Sequence, residues 1–253
     1  MRVALDNGLR VALVHGFTQA AGSWTPVQAR LEEAGHTVVT PEASGHGAQS
    51  DRRDALPADA ERLADEVGGA VWVGYSMGGR LCLHVAVQRP EVVRGLVLVS
   101  TTAGIEDDAE RAERRAADEE LARSIEADGV AAFVDRWLAG PLWATLPRAA
   151  AGVEIRRANT PAGLAASLRL AGTGAQAPLW DRLSEIAAPV LIVTGSLDAK
   201  FSALGTRLAG ALRSAAVTVE QIEGAGHALP WERPDELAEA VHRWMLSQEP
   251  GPR

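Results

Sequence analysis

The chain has 253 residues, of which 47% are hydrophobic and 23% charged, and its formal net charge is −8 at pH 7. This length and apolar content suffice to bury one sizeable core, so we expect a single domain over residues 1–253. The negative charge argues against a nucleic-acid partner, because phosphate binding needs a basic face.

The cysteine content and the apolar runs bear on the compartment. Cys82 is the only cysteine, so no disulfide can form within the chain. The first ten residues lack the apolar segment of a signal peptide, and no run approaches the roughly 20 apolar residues that span a bilayer. We therefore expect a cytoplasmic protein with no membrane partner. The oligomeric state stays open.

Short apolar runs, rich in β-branched residues and bounded by turn residues, predict strands at regular intervals. Helical patterns lie between most of them, which predicts an α/β fold with a mostly parallel sheet covered on both faces. The predicted strands are 10–14, 37–40, 71–73, 96–99, 190–193 and 217–222. The predicted helices are 24–34, 58–67, 77–88, 203–212 and 234–246.

The interval from about 104 to 183 breaks this alternation, because it shows helical patterns and no convincing strand. The charge-dense stretch 107–127 and the apolar-faced stretch 130–138 are the clearest helices in it. A helical insertion between two strands is placed to form a lid over the carboxyl edge of the sheet, where open α/β sheets bind ligands. The alternative is a helical addition that serves stability alone.

The segment Gly-Tyr-Ser-Met-Gly at 74–78 joins a predicted strand to a predicted helix. Small residues on both sides allow the sharp turn of a nucleophile elbow, which would expose Ser76 above the helix N-terminus. An ordinary glycine-rich turn with a solvent-facing serine is the alternative. The strand-to-helix context favours a nucleophile or base at Ser76.

A serine needs an imidazole to activate it, and the imidazole needs a carboxylate to orient it. Asp198 follows the predicted strand 190–193, and His227 follows the strand 217–222. The order Ser, Asp, His, with each residue just beyond a strand, is the order of this type of fold. We therefore predict a catalytic triad of Ser76, His227 and Asp198.

Backbone amides near Ser76 are candidates for stabilising negative charge. The strand 10–14 ends in His15-Gly16, where the chain turns back across the edge of the sheet. This turn would bring the Phe17 amide opposite the Met77 amide, and two such donors form an oxyanion hole. The alternative for His15-Gly16 is an ordinary turn.

Arginines indicate the charge of the ligand. Arg80 lies four residues after Ser76 on the same face of the predicted helix. Guanidinium groups pair with carboxylates through two hydrogen bonds, so arginines meeting over the serine would select a carboxylated small molecule. A surface ion pair is the alternative for Arg80. The lid supplies further candidates in Arg111, Arg114, Arg115 and Arg156. We expect no cofactor and no metal.

At these residues the chain resembles 2-succinyl-6-hydroxy-2,4-cyclohexadiene-1-carboxylate synthase, the lyase of menaquinone biosynthesis with the α/β-hydrolase fold. The resemblance runs nearly end to end. The most discriminating features are the arginine after G-Y-S-M-G-G, the lid tryptophan Trp137 and the segment S-L-R-L-A-G-T-G-A-Q at 167–176.

The resemblance implies a 1,4-elimination of pyruvate in which Ser76, deprotonated by His227, acts as the base. It also implies that Arg80, Arg114 or Arg115, and Arg156 bind substrate carboxylates. Tyr75 and Trp137 are implied as walls of the pocket.

Two other classes of function stay open. The chain departs from the family pattern before Gly45-His46-Gly47, where Glu42, Ala43 and Ser44 stand. A carboxylesterase, lactonase or carbon–carbon bond hydrolase acting on an acidic substrate is therefore the alternative to the lyase. A binding protein that keeps an unused triad is the third possibility, and turnover of p-nitrophenyl acetate would exclude it.

Overall fold

The computed structural model describes residues 8–213 and 216–248. In these ranges a parallel sheet has the strand order β2-β1-β3-β4-β5-β6. The predicted α/β architecture is confirmed. The strands are β1 (Arg10–Val14), β2 (Thr37–Val39), β3 (Ala70–Tyr75), β4 (Val93–Val99), β5 (Val190–Gly195) and β6 (Val217–Ile222).

Two central strands are longer than their sequence patterns indicate. β3 continues through Gly74 to Tyr75, and β4 begins at Val93 and includes Gly95. Glycine lowers the intrinsic preference for a strand, but backbone pairing within a sheet overrides that preference. Gly74 pairs with Leu98 in the register of β3 and β4. The extension of β3 places its last residue directly before Ser76.

Helices connect the strands on both faces of the sheet. None of the helices in the described ranges is long and apolar enough to cross a membrane. The α-helices are α1 (Thr25–Glu33), α2 (Leu56–Val67), α3 (Met77–Gln88), α4 (Asp108–Leu138), α5 (Val153–Arg157), α6 (Pro161–Ala171), α7 (Ala199–Ala211), α8 (Leu229–Glu232) and α9 (Pro234–Gln248).

The alternation of side chains along each strand divides the core into two layers. In β1, Ala12 and Val14 pack in the layer that contains α2, α3 and α7. Val11 and Leu13 point to the opposite face and pack with α1 and α9. Since both faces are covered, the central strands are apolar throughout, and the polar chemistry is confined to the ends of the strands.

The segment between β4 and β5 forms a separate helical layer. Apolar residues of α4 and α6 pack together there, among them Phe133 and Leu164. α4 is broken at Gly129, which has φ 80° and ψ 165°, so two helical pieces meet at this residue. The break agrees with the two helices predicted at 107–127 and 130–138. Asp107 accepts a hydrogen bond from the Glu110 amide at 2.8 Å and caps the first piece.

Candidate active site

Ser76 lies at the sharp turn between β3 and α3. Its φ of 52° is in the left-handed region, which non-glycine residues rarely adopt. The Ser76 amide donates to the Val99 carbonyl at 2.9 Å, and the Thr101 hydroxyl donates to the Ser76 carbonyl at 2.7 Å. A side chain at Gly78 would collide with the backbone at the end of β1. The turn therefore needs glycine at 78, and its neighbours hold the strained serine in place.

The side chains of Asp198, His227 and Ser76 form a continuous chain of hydrogen bonds. His227 Nδ1 lies 2.8 Å from Asp198 Oδ2, and His227 Nε2 lies 3.3 Å from Ser76 Oγ. Because the carboxylate can only accept, Nδ1 carries the proton and Nε2 is free to accept from the serine. Asp198 and His227 are 8% and 3% exposed, so water competes little with these bonds.

Aromatic rings surround the His227 imidazole and restrict its orientation. The ring centroids of Phe201, Tyr75 and Trp143 lie 4.4, 5.4 and 5.8 Å from that of His227. Tyr75 does not border the cavity above Ser76, although it was predicted to be a wall of the pocket. Its ring lies behind His227, and burial raises the pKa of its hydroxyl.

The two predicted oxyanion donors both border the cavity above Ser76. In the turn after β1, the Thr18 amide donates to His46 Nε2 at 3.2 Å. The Phe17 amide has no acceptor in the described ranges of the chain. Met77 is the first residue of α3, and the first amides of a helix have no partner within it. Both backbone groups are thus available to a ligand.

Two buried histidines hold the loops at this edge of the sheet. His15 Nε2 accepts from the Ala43 amide at 3.2 Å, and its Nδ1 donates to the Gly16 carbonyl at 2.9 Å. Burial lowers the pKa of His15, and it lowers the pKa of His46 to about 3. Both rings are therefore neutral at pH 7, which suits supports of the backbone.

The cavity above Ser76 has a volume of about 160 Å³. We call it the inner cavity. The loops of the sheet contribute Phe17, Ser76 and His227 to its lining, and the lid contributes Trp137 and Leu168 among others. The catalytic candidates therefore face a space that lies between the sheet and the lid. Trp137 borders this space.

Arg80 reaches the inner cavity from the buried face of α3. One of its terminal nitrogens donates to the Ala171 carbonyl at 2.7 Å and to Gln176 Oε1 at 3.1 Å. Burial, and to a lesser extent the neighbouring Arg114, lowers its pKa to about 10, so the group is charged at neutral pH. No carboxylate of the described residues pairs with Arg80. A buried cation with no carboxylate in contact favours an anionic ligand.

The lid arginines Arg114 and Arg115 are adjacent in sequence but differ in position. Arg114 borders the inner cavity, and its Nε donates to Asp118 at 2.8 Å. Arg115 Nε donates to the Gly174 carbonyl at 3.2 Å, and Arg115 does not border the cavity. Successive side chains of a helix point about 100° apart, so only one of the two can face the serine.

Arg156 is fully buried but does not border the inner cavity, contrary to its predicted place at the substrate. Its Nε donates to the Ala151 carbonyl at 2.8 Å, and another nitrogen donates to the Thr18 hydroxyl. Its guanidinium carbon lies 5.0 Å from the Trp143 ring centroid. Arg156 therefore packs behind the tryptophan and ties the lid to the turn after β1.

Several residues of the cavity were missed by the sequence analysis. The lining includes Ser167, Thr173, Lys200 and Phe201. Gln176, which orients Arg80, lies within the segment 167–176 that carried the resemblance. Ser167 and Thr173 lie in the same segment, whereas Lys200 and Phe201 lie in the first turn of α7. Within the described ranges, no group of three or more His, Cys, Asp or Glu side chains is arranged to hold a metal ion.

The comparisons with known proteins agree with this geometry. Residues 11–240 match the Alpha/beta hydrolase family. A Bacillus subtilis (strain 168) protein, provisionally named 2-succinyl-6-hydroxy-2,4-cyclohexadiene-1-carboxylate synthase, is 34% identical over 94% of this chain and 90% of its own length. The chain belongs to this synthase family of the α/β hydrolases.

The similarity to further members of the synthase family also covers nearly the whole chain. The synthase of Salmonella schwarzengrund (strain CVM19633) is 28% identical over 91% of each chain. The structure of MenH from S. aureus superposes with a TM-score of 0.89 and 27% identity, covering 97% of this chain and 96% of its own. The family likeness therefore includes the lid as well as the sheet, and it identifies the chain as an enzyme of the menaquinone-pathway synthase type.

Proposed function

We propose that this enzyme eliminates pyruvate from 2-succinyl-5-enolpyruvyl-6-hydroxy-3-cyclohexene-1-carboxylate and releases 2-succinyl-6-hydroxy-2,4-cyclohexadiene-1-carboxylate. The single observation that carries the proposal is the inner cavity, where Ser76 and His227 face two arginines, Arg80 and Arg114. A serine with an imidazole partner supplies a base, and the arginines supply sites for carboxylates.

In the proposed mechanism Ser76 acts as a base. His227 Nε2 takes the proton of the Ser76 hydroxyl, and the seryl oxygen removes a proton from a ring carbon of the substrate. The electrons move through the ring double bond to form the diene, and the bond from the ring to the enolpyruvyl oxygen breaks. The proton held on His227 then returns to the departing enolpyruvate, which becomes pyruvate. No water is consumed.

The Phe17 and Met77 amides are proposed to stabilise the negative charge that develops on the succinyl carbonyl oxygen as the proton leaves. Donors of this kind contribute about 2.7–4 kcal/mol each to the transition state in known oxyanion holes. Asp198 is proposed to hold the imidazole in the required tautomer, and its 2.8 Å contact with Nδ1 supports this role.

Turnover of the enolpyruvyl substrate tests the proposal. Wild-type protein should release pyruvate and form the diene in equal amounts. Ser76→Ala should lower kcat by at least about a hundredfold with unchanged folding, because the base is removed. Ser247→Ala is the control, since this hydroxyl donates to the Trp244 carbonyl on α9, away from the cavity, and activity should stay within about twofold. Absence of pyruvate with the wild type would contradict the proposed reaction.

A hydrolase acting on an acidic substrate is the second candidate, and the hydrogen bonds of Ser76, His227 and Asp198 also fit that chemistry. The two reactions differ in the fate of water. Hydrolysis in H₂¹⁸O places ¹⁸O at the cleaved carbonyl, whereas elimination needs no oxygen from water. Incorporation of ¹⁸O during the release of an acid would favour the hydrolase.

A further inference from the structure

The chain uses lysine once. Of its 25 lysine and arginine residues, Lys200 is the single lysine. It is the second residue of α7 and follows Asp198 by two positions. The mechanism proposed above does not use it, although it borders the inner cavity together with Ser76 and His227.

Lys200 lies where the inner cavity meets a second, larger one. This outer cavity has a volume of about 520 Å³. Some residues border both cavities, and we call this shared boundary the neck. The neck consists of Thr102, Arg114, Thr173, Lys200 and Phe201.

The positive charge of Lys200 is not used within the described part of the protein. Lys200 makes no hydrogen bond or ion pair there, and its ammonium lies 5.8 Å from the Phe201 ring centroid. Arg207, the other cation of α7 at the outer cavity, is occupied: it pairs with Glu106 and stacks 3.8 Å from the Trp180 ring centroid. An exposed ammonium beside a catalytic cavity is available to a ligand.

The charges around the neck determine where an anionic group would bind most favourably. Beyond the neck the outer cavity is lined by Glu106, Asp107, Glu110 and Arg207, and Arg207 pairs with Glu106. A carboxylate that moved there would therefore still meet the negative charges of Asp107 and Glu110. At the neck itself it meets Lys200 and Arg114. The field therefore favours an anionic group at the neck over one deeper in the outer cavity.

The proposed substrate carries three carboxylates: one on the ring, one on the enolpyruvyl group and one at the end of the succinyl arm. Two arginines border the inner cavity, Arg80 and Arg114, and Lys200 is the third cation on its lining. We propose that Lys200 binds the terminal carboxylate of the succinyl arm at the neck. This arm is flexible and extends away from the ring, so it can leave the small inner cavity. The inference rests on the proposed function.

Steady-state kinetics give the first test. Lys200→Gln should raise KM for the enolpyruvyl substrate about tenfold or more with kcat within about twofold, because the bound group is remote from the reacting bonds. Lys200→Arg should retain most of the affinity. Arg207→Gln removes the same charge from the same helix and should change KM by less than about twofold.

A parallel assay excludes an indirect effect on Asp198. The Lys200→Gln protein should hydrolyse the neutral ester p-nitrophenyl acetate at the wild-type rate. An equal loss on the ester, an unchanged KM, or an equal rise in KM with Arg207→Gln would each overturn the inference. If the wild type itself released no pyruvate, the proposed function would fail, and the inference would fail with it.

The single lysine also permits a direct binding measurement. Reductive ¹³C-methylation labels Lys200 and the terminal amine and keeps their positive charge, and the Lys200→Arg protein identifies the Lys200 resonance by its loss. The diene product, which retains the succinyl arm, should shift this resonance, whereas pyruvate should not. A shift with pyruvate and none with the product would assign Lys200 to the carboxylate of the enolpyruvyl group and overturn the inference.

Discussion

Arg114 and Arg115 show how one position in a helix separates a side chain that borders the inner cavity from one that does not. Arg114 reaches the inner cavity while its Nε donates to the buried Asp118. Arg115 caps the Gly174 carbonyl across the lid. The two residues have the same charge and are adjacent in sequence, so the sequence around them does not distinguish their roles. The packing of α4 against α6 decides which of them borders the cavity above Ser76.

The pair gives a matched comparison. Arg114→Gln should lower kcat/KM on the enolpyruvyl substrate about tenfold or more, because a charge-assisted hydrogen bond contributes about 1.5–3 kcal/mol. Arg115→Gln removes the same charge one residue away and should change kcat/KM by less than about threefold. Both proteins should be compared with the wild type on the acidic substrate and on p-nitrophenyl acetate. Neither substitution should change the rate of ester hydrolysis. Equal losses for the two variants would show that the lid acts through its general positive charge.

The sequence was sufficient to place Ser76, Asp198 and His227 together, because each follows a strand and parallel strands end at the same edge of a sheet. It was not sufficient to place Arg156. That residue was assigned by resemblance, and its position behind Trp143 depends on how the lid packs, which no local pattern encodes. Lys200 was missed for a similar reason, since a single exposed lysine is usually a solvated charge.

At the scale of elements, α7 begins four residues before its predicted start at 203. Its N-terminal cap is Asp198, whose Oδ1 accepts from the Phe201 amide at 3.2 Å while Oδ2 contacts His227. Lys200 and Ser202 interrupt the apolar pattern of the first turn, so periodicity alone places the start too late. One carboxylate therefore fixes both the helix and the imidazole.

The break in α4 gives a prediction about stability. Gly129 has φ 80° and ψ 165°, a region that only glycine adopts readily, although an added Cβ would meet no atom within 4 Å. Gly129→Ala should therefore lower the free energy of unfolding by about 1–3 kcal/mol through backbone strain alone. Urea denaturation followed by circular dichroism measures this change.

Gly210, in the exposed part of α7, is the matched control. An added Cβ there also meets no atom within 4 Å, but the backbone is helical. Gly210→Ala should raise the free energy of unfolding by up to about 1 kcal/mol, because alanine loses less entropy in a helix. Changes of the same sign at both glycines would contradict the assignment of strain to Gly129.

At the scale of the whole molecule, buried histidines make the fold sensitive to acid. Burial lowers the pKa of His15, lowers that of His46 to about 3, and lowers that of His84 to about 4. The unfolded chain takes up protons at these residues near pH 6.5, whereas the folded protein does not. The free energy of unfolding should therefore fall as the pH falls below about 6.5, by up to about 1.4 kcal/mol per pH unit for each histidine.

His84→Gln isolates one of these contributions. The slope of the free energy of unfolding against pH should be smaller in this variant than in the wild type between about pH 6.5 and pH 4. Denaturation curves at a series of pH values measure both slopes. Parallel slopes would mean that His84 takes up its proton equally in the folded and unfolded states.

The aromatic residues of the lid have a consequence for observing the enzyme. Trp137 borders the inner cavity and stacks on Phe133, and Trp143 contacts both Trp137 and His227. By contrast, Trp24 and Trp72 are enclosed in the core of the sheet. A molecule that enters the cavity changes the surroundings of Trp137 and Trp143 and leaves those of Trp24 and Trp72 unchanged. The fluorescence of the unlabelled protein thus contains an optical signal of occupancy together with its own internal reference.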